Sequence, residues 1–187
     1  MISEINYNNY STQQYGGGGC IDGNCQVEMD DGTKKLVKNI QIGDRVRVNG
    51  VSKVGIIRCS VLTHSKQIVT LPNGLCITHK HPIWSDTDST WIFPMNHLDQ
   101  KTIELNVRGD MYSFLLEPNE DSCAMMINGY WTVYLAHNNK HKLLQHEFYG
   151  TQNVRNAIER LDPNRIGRIE NIKVIRNSSG SVCDYEI

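Results

Sequence analysis

The alternation of apolar and polar residues divides the chain into three stretches. Residues 1–19 are rich in Asn, Tyr, Ser, Gln and Gly and show no helical or alternating pattern, so they read as a linker from an upstream partner. From Cys20 short alternations begin. Residues 25–29 alternate, and Asp30-Asp31-Gly32-Thr33 signals a hairpin turn. Residues 35–40 lead to a second turn at Gly43-Asp44, after which Val46 and Val48 share a strand face. Residues 54–62 and 66–71 are rich in β-branched side chains and predict two strands. Pro72-Asn73-Gly74 turns the chain into a short strand over 75–78. The same spacing continues at 91–94, 102–105 and 111–116, and residues 124–127 and 130–135 pair across Asn128-Gly129, a type I′ hairpin signal.

Residues 20–137 therefore predict an all-β unit of short strands and frequent turns. After Asn138 the composition turns polar and basic. Residues 152–161 predict a helix, with Val154, Ile158 and Leu161 on one face and Pro163 as the stop. Residues 166–175 predict one more strand, and 177–187 are expected to fray. No solenoid-type repeat is present. The expected division is 1–19 linker, 20–138 domain and 139–187 C-terminal extension.

Composition narrows the classes. The 187 residues are 39% hydrophobic, enough for a core, and the net charge of −1 gives no reason to expect nucleic acid or a lipid surface as partner. No apolar run approaches the roughly 18 residues of a membrane span. The N-terminus lacks a basic region followed by an apolar one, so no signal peptide is read and a cytoplasmic location is expected. The six cysteines (Cys20, Cys25, Cys59, Cys76, Cys123 and Cys183) fit buried free thiols in a reducing compartment better than a disulfide framework.

Candidate chemistry concentrates where four glycines run into Cys20. A cysteine in that place can attack the carbonyl of Gly19 and cut the chain there. An amide is a poor electrophile, so the reaction needs three things. Cys20 supplies the nucleophile, a thiol with an ordinary pKa near 8.5 and a few per cent thiolate at neutral pH. His81 is the candidate for protonating the leaving amine, because histidine titrates in that range. Thr78 can hydrogen-bond the scissile amide. Thr78 and His81, three residues apart, converge only if the chain bends after the strand, which Pro82 favours. The glycines let Gly19 take a conformation that other residues adopt only with strain.

In order along the chain stand Cys20, the run Gly74-Leu75-Cys76-Ile77-Thr78-His79-Lys80-His81, Tyr112-Ser113-Phe114-Leu115-Leu116-Glu117 and Asn128-Gly129. With these residues, 20–137 resembles the Hint family, the autoprocessing domains of hedgehog proteins and inteins. Gly-Gly-Gly-Gly-Cys, Trp91-x-Phe93-Pro94, Leu135-Ala136-His137 and residues 146–151 resemble more closely the Hint type found downstream of von Willebrand factor A domains, and carry the likeness to about residue 161. The resemblance implies a flat, horseshoe-like all-β body with pseudo-twofold halves. It implies single-turnover self-processing: an N-to-S acyl shift at Gly19-Cys20, then release or transfer of the upstream Gly-ended polypeptide. It implies a von Willebrand factor A-like partner in cis. His137 is the candidate for polarising a second-step group, with a structural role as the alternative.

The acceptor is open: water, a small thiol or an amine on another protein. His137-Asn138 mimics an intein ending, but the next residue is Asn139, which is no nucleophile, and the chain runs on to Ile187, which argues against full splicing. Ser122-Cys123 stands where the late motif often carries His, Thr132 where the von Willebrand-linked type tends to have Cys, and Ser113 near a position often Asp in inteins. These departures bear on the second step more than on the first. Two rival readings are a degenerate Hint domain kept for interaction and a metal-stabilised module drawing on Cys20, Cys25, Cys76, His79 and His81. The expectation is no cofactor, with an inhibitory Zn between Cys20 and His81 as the variant considered. Cys25 is the alternative attacker.

Overall fold

The computed structural model of the chain describes residues 20–64, 67–104 and 110–187. The predicted linker, Gly19 included, lies outside the described residues. The chain begins with β1 (Ile21–Asp22), the hairpin β2 (Gln26–Glu28) and β3 (Lys34–Leu36), then β4 (Arg45–Arg47) and the long β5 (Val54–His64). It continues through β6 (Gln67–Thr70), β7 (Cys76–Thr78), β8 (Ile83–Ser85), β9 (Thr90–Ile92), β10 (Lys101–Glu104) and β11 (Asp110–Leu116). The hairpin β12 (Ala124–Ile127) and β13 (Tyr130–Val133) comes next. The C-terminal part adds α1 (Gln152–Leu161), β14 (Arg168–Ile169), β15 (Lys173–Arg176) and β16 (Val182–Glu186). The fold is all-β with one C-terminal helix, as the strand spacing predicts.

The turns form where their chemistry requires. Asn128 and Gly129 both take positive φ (47° and 81°), the requirement of a type I′ hairpin, and β12 and β13 pair across them. Gly43 at φ 85° turns the chain into β4, and Val46 and Val48 are both buried. One sheet has eight strands in the order β10-β6-β7-β1-β11-β5-β14, with β4 also on β5; a second has the order β3-β2-β12-β13-β8-β9. The body core runs from Ile21, Val27 and Val46 through Ile57 and Ile77 to Phe114 and Ile127, all nearly inaccessible.

The C-terminal part packs on the body through a second core. Cys59, Val61, Leu115 and Leu135 meet Phe148, Val154, Ile158, Ile169 and Tyr185 there. Burying each large apolar side chain is worth about 1.5–3 kcal/mol. Helix α1 begins at Thr151, whose side chain accepts from the Asn153 N–H, and turns Val154, Ala157 and Ile158 inward at helical spacing. Below it Arg58 of β5 and Asp162 form a buried ion pair at 2.7 Å, with side chains 2% and 3% exposed. Burial alone would raise the Asp162 carboxyl, but Arg58 and the N–H groups of Gly167 and Ile166 hold it below its ordinary value. β14 then adds to β5 in parallel, Arg168 opposite Ser60.

Two expectations need correction here. The strand expected over 166–175 is two strands, β14 and β15, broken where Asn171 takes φ 59°. Residues 177–187, expected to fray, contain β16, which pairs with β15. Asn177 Oδ1 accepts from the N–H groups of Ser179 and Ser181, and Gly180 takes φ 83°, so the segment is a hairpin. Tyr185 anchors it at 1% exposure against Phe148. Among the described residues no helix is long and apolar enough to cross a membrane.

Candidate active site

Cys20 enters the body immediately before β1, the short strand between β7 and β11, with Ile21 opposite both Ile77 and Tyr112. Its N–H, the amide that would become the leaving amine, donates to Thr78 Oγ1 at 2.9 Å. Its carbonyl accepts from the Thr78 N–H, also at 2.9 Å. Thr78 thus holds residue 20 on both sides. The sulfur lies 2.8 Å from Thr63 Oγ1 and 3.4 Å from Ser113 Oγ. Thr63 on β5 is opposite Met111, and Ser113 on β11 is opposite Val61, so strand alternation brings both hydroxyls to one face.

Cys20 is 1% exposed and packs with Ile68 and Met111, Cys76 lying against them. Burial pushes its thiol above the ordinary range, against a downward pull from the Ser113 and Thr63 hydrogen bonds. The resting group is therefore a neutral thiol, and charge on it develops only if something at the site meets it.

The chain bends directly after β7, as the Thr78–His81 spacing requires. The His81 N–H closes a turn on the Thr78 carbonyl at 3.1 Å, and Pro82 comes next. The His81 ring is buried, with Nε2 2.6 Å from the Val133 carbonyl. A carbonyl only accepts, so Nε2 carries the hydrogen and Nδ1 is the nitrogen that gains or gives the exchangeable proton.

His137 feels His81 electrostatically. Its imidazole is pushed down to about 4, by burial first and by His81 second. It sits between two residues of left-handed backbone, Ala136 at φ 57° and Asn138 at φ 55°. Three hydrogen bonds hold that shape. Ala136 N–H donates to the Tyr149 carbonyl and Asn138 N–H to the Gly150 carbonyl, both at 2.8 Å, while Asn139 N–H donates to His137 Nδ1 at 2.9 Å. Nε2 of the neutral ring therefore bears the hydrogen. Gly150 makes the approach possible. A Cβ there would lie 3.3 Å from His137 Cε1 and 3.1 Å from the carbonyl oxygens of Leu144 and His146.

Of the remaining cysteines, Cys76 lies against the Cys20 cluster. Cys25 Sγ points to the carbonyls of Cys76 and Gly74, and burial holds its thiol up at about 12. Cys123 packs beside Asn49, and no disulfide joins any of the six, all of which are described. Among the described residues no three His, Cys, Asp or Glu side chains are grouped to hold a metal ion. Ser122 is tied to the Tyr134 hydroxyl, Thr132 is fully buried, and Asp44 is a turn residue accepting from Lys35 Nζ and the Gln41 N–H. Trp91 is buried, with Trp84 edge-on to it and Trp131 in the same cluster. The contacts of Thr63 and Ser113 with the sulfur carry no signal in the sequence. A hydroxyl at an alternating strand position looks like any other polar strand residue until the pairing of β5 with β11 is known.

The family model described as Vint, a Hint-domain, matches residues 19–184. The solution structure of a bacterial intein-like domain from Clostridium thermocellum is similar, with a TM-score of 0.52 at 12% identity, over 64% of this chain and 99% of that one. The crystal structure of the gp41-1 intein matches with a TM-score of 0.47 at 17% identity, covering 63% of this chain and 99% of its own. A DnaB intein from Synechocystis sp. PCC 6803 gives 0.45 at 11% identity, with coverage of 63% and 99%. At 12% identity the likeness to the Clostridium thermocellum domain speaks for the fold alone. No curated protein matches the chain in sequence. The family match spans body and C-terminal part alike, and by it the chain belongs to the Vint family of Hint domains.

Proposed function

We propose that the domain processes itself by converting the Gly19-Cys20 peptide bond to a thioester through an N-to-S acyl shift. It then releases the upstream Gly-ended polypeptide to water or passes it to another nucleophile. The observation that carries this reading is the hold on Cys20: its amide N–H on Thr78 Oγ1 and its sulfur against two hydroxyls inside a closed site. The amide N–H is held by one partner and the nucleophile by others, an arrangement suited to attack across a single peptide unit. His81 protonates the leaving nitrogen, and His137 serves the second step.

The overall change is balanced within the chain. The Sγ–C bond to Gly19 forms, the C–N bond to Cys20 breaks, and the thiol proton ends on the Cys20 nitrogen. In this reading the upstream polypeptide is a von Willebrand factor A-like domain in cis, the compartment is the cytoplasm, and neither nucleic acid nor membrane is a partner. Hydroxylamine trapping tests the thioester. Residues 1–19 should appear as a hydroxamate at Gly19, and recovery only of intact chain would sink the acyl shift.

A further inference from the structure

We propose that the Thr63 and Ser113 hydroxyls form a cradle for the negative charge that develops on Cys20 Sγ as it attacks, with Thr63 the larger contributor. The inference rests on the self-processing reading above and adds a catalytic residue to it. A buried sulfur has no water to solvate its anion, so the site itself must supply the donors. Thr63 Oγ1 lies 2.8 Å from the sulfur and Ser113 Oγ 3.4 Å, both residues buried. A hydroxyl both gives and accepts, so it takes the S–H bond at rest and turns to donate as the thiol loses its proton.

Packing alone does not call for this arrangement. Most side-chain hydrogen bonds go to backbone or water, and sulfur is a weak partner. Here two hydroxyls from two strands meet one sulfur. Two threonines thus bracket residue 20 at the atoms whose bonding changes. Thr63 stands at the sulfur, which gives up a proton, and Thr78 at the nitrogen, which receives one.

Two titratable groups near the sulfur are neutral at working pH. Burial holds Cys76 on β7 above its ordinary value, and it raises Tyr185 on β16, whose titration also feels Cys20. Where β5 ends and β11 begins, His64 and Asp110 are 3.9 Å apart and exposed. None of these replaces the hydroxyls as a donor in direct contact.

The test compares Thr63→Val, Thr63→Ser and Ser113→Ala with the full wild-type chain, reading thiol-induced cleavage at Gly19-Cys20 across pH. One hydrogen bond to a charged group corresponds to roughly tenfold to a hundredfold in rate. Thr63→Val should slow cleavage by that factor and move its pH profile to the alkaline side. Thr63→Ser should recover most of the rate, and Ser113→Ala should lose less. A Thr63→Val rate and profile equal to wild type would overturn the proposal. If the wild type does not cleave at all, the self-processing reading fails, and the cradle is judged separately. NMR titration of 13Cβ-labelled cysteine should then place the Cys20 midpoint higher in Thr63→Val than in wild type, and equal midpoints reject the cradle.

Discussion

Cys20 and His137 are the first and last of the candidate site residues along the chain, and they are held in different ways. Cys20 is fixed by the body sheet: β7 takes its backbone, while β5 and β11 meet its sulfur. His137 is fixed by the segment C-terminal to it, with the carbonyls of Tyr149 and Gly150 holding Ala136 and Asn138 in left-handed backbone. Burial acts on both in the neutral direction, pushing the thiol up and the imidazole down to about 4. The lesson is a division of labour. The body sheet holds Cys20, and the C-terminal part holds His137; in the proposed reading the first serves the acyl shift and the second the later step.

The sharpest way to break this comparison is at the nucleophile. Cys20→Ala should abolish release of residues 1–19 and leave the fold intact; a fragment ending at Gly19 from that variant would contradict the assignment. His81→Ala comes next and should slow thioester formation by about 100-fold, within the range of general acid catalysis. A near wild-type rate would mean that another group protonates the amine.

Where the C-terminal part packs on the body, Asp162→Asn should destabilise the chain by about 3–5 kcal/mol, because it leaves Arg58 charged and buried. Urea denaturation reads this directly. An unchanged midpoint would mean that the ion pair does not hold the C-terminal part to the body.

The pH dependence of stability separates the two residues further. His137 and His146 both sit at about 4 in the folded chain, the latter through burial and the neighbouring Arg176, against an ordinary 6.5. The unfolded chain therefore binds more protons between these values. The stability these residues contribute is fully present above about pH 6.5 and is lost as pH falls toward 4. Urea midpoints should drop over that window, and the slope should flatten in His137→Gln and His146→Gln; parallel slopes would reject the assignment.

Gly150→Ala should have the smallest effect. It should cost about 1–3 kcal/mol through overpacking against His137 and two backbone oxygens. Release of the acyl group should slow more than thioester formation; equal slowing of both would erase the distinction between the two residues.

The same contrast separates the parts of the molecule that are legible in the sequence from those that are not. The body strands carry plain alternation and their turns carry Gly, Asn and Pro, so β2 to β7 and β9 to β13 lie close to where the pattern predicts them. β8 escapes the pattern because Ile83, Trp84 and Ser85 come after a proline and are too few to show a period. β16 escapes it because Asn177-Ser178-Ser179-Gly180 has the polar composition of a fraying end, although Asn and Gly at that spacing also make a hairpin turn. At the site, Cys20, Thr78 and His81 stand out through their order and spacing. Thr63 does not, and Ser113 is marked only by its motif run, because only the pairing of two distant strands makes those hydroxyls neighbours of a sulfur.

The central claim is that this fold activates one peptide bond, Gly19-Cys20. The most direct measurement is the intact mass of the purified chain over time, with and without a thiol and with and without a metal chelator. The account predicts loss of residues 1–19 and a new N-terminus at Cys20, faster with the thiol. A mass that stays unchanged under every condition, chelation included, would contradict it and leave the domain as an interaction module.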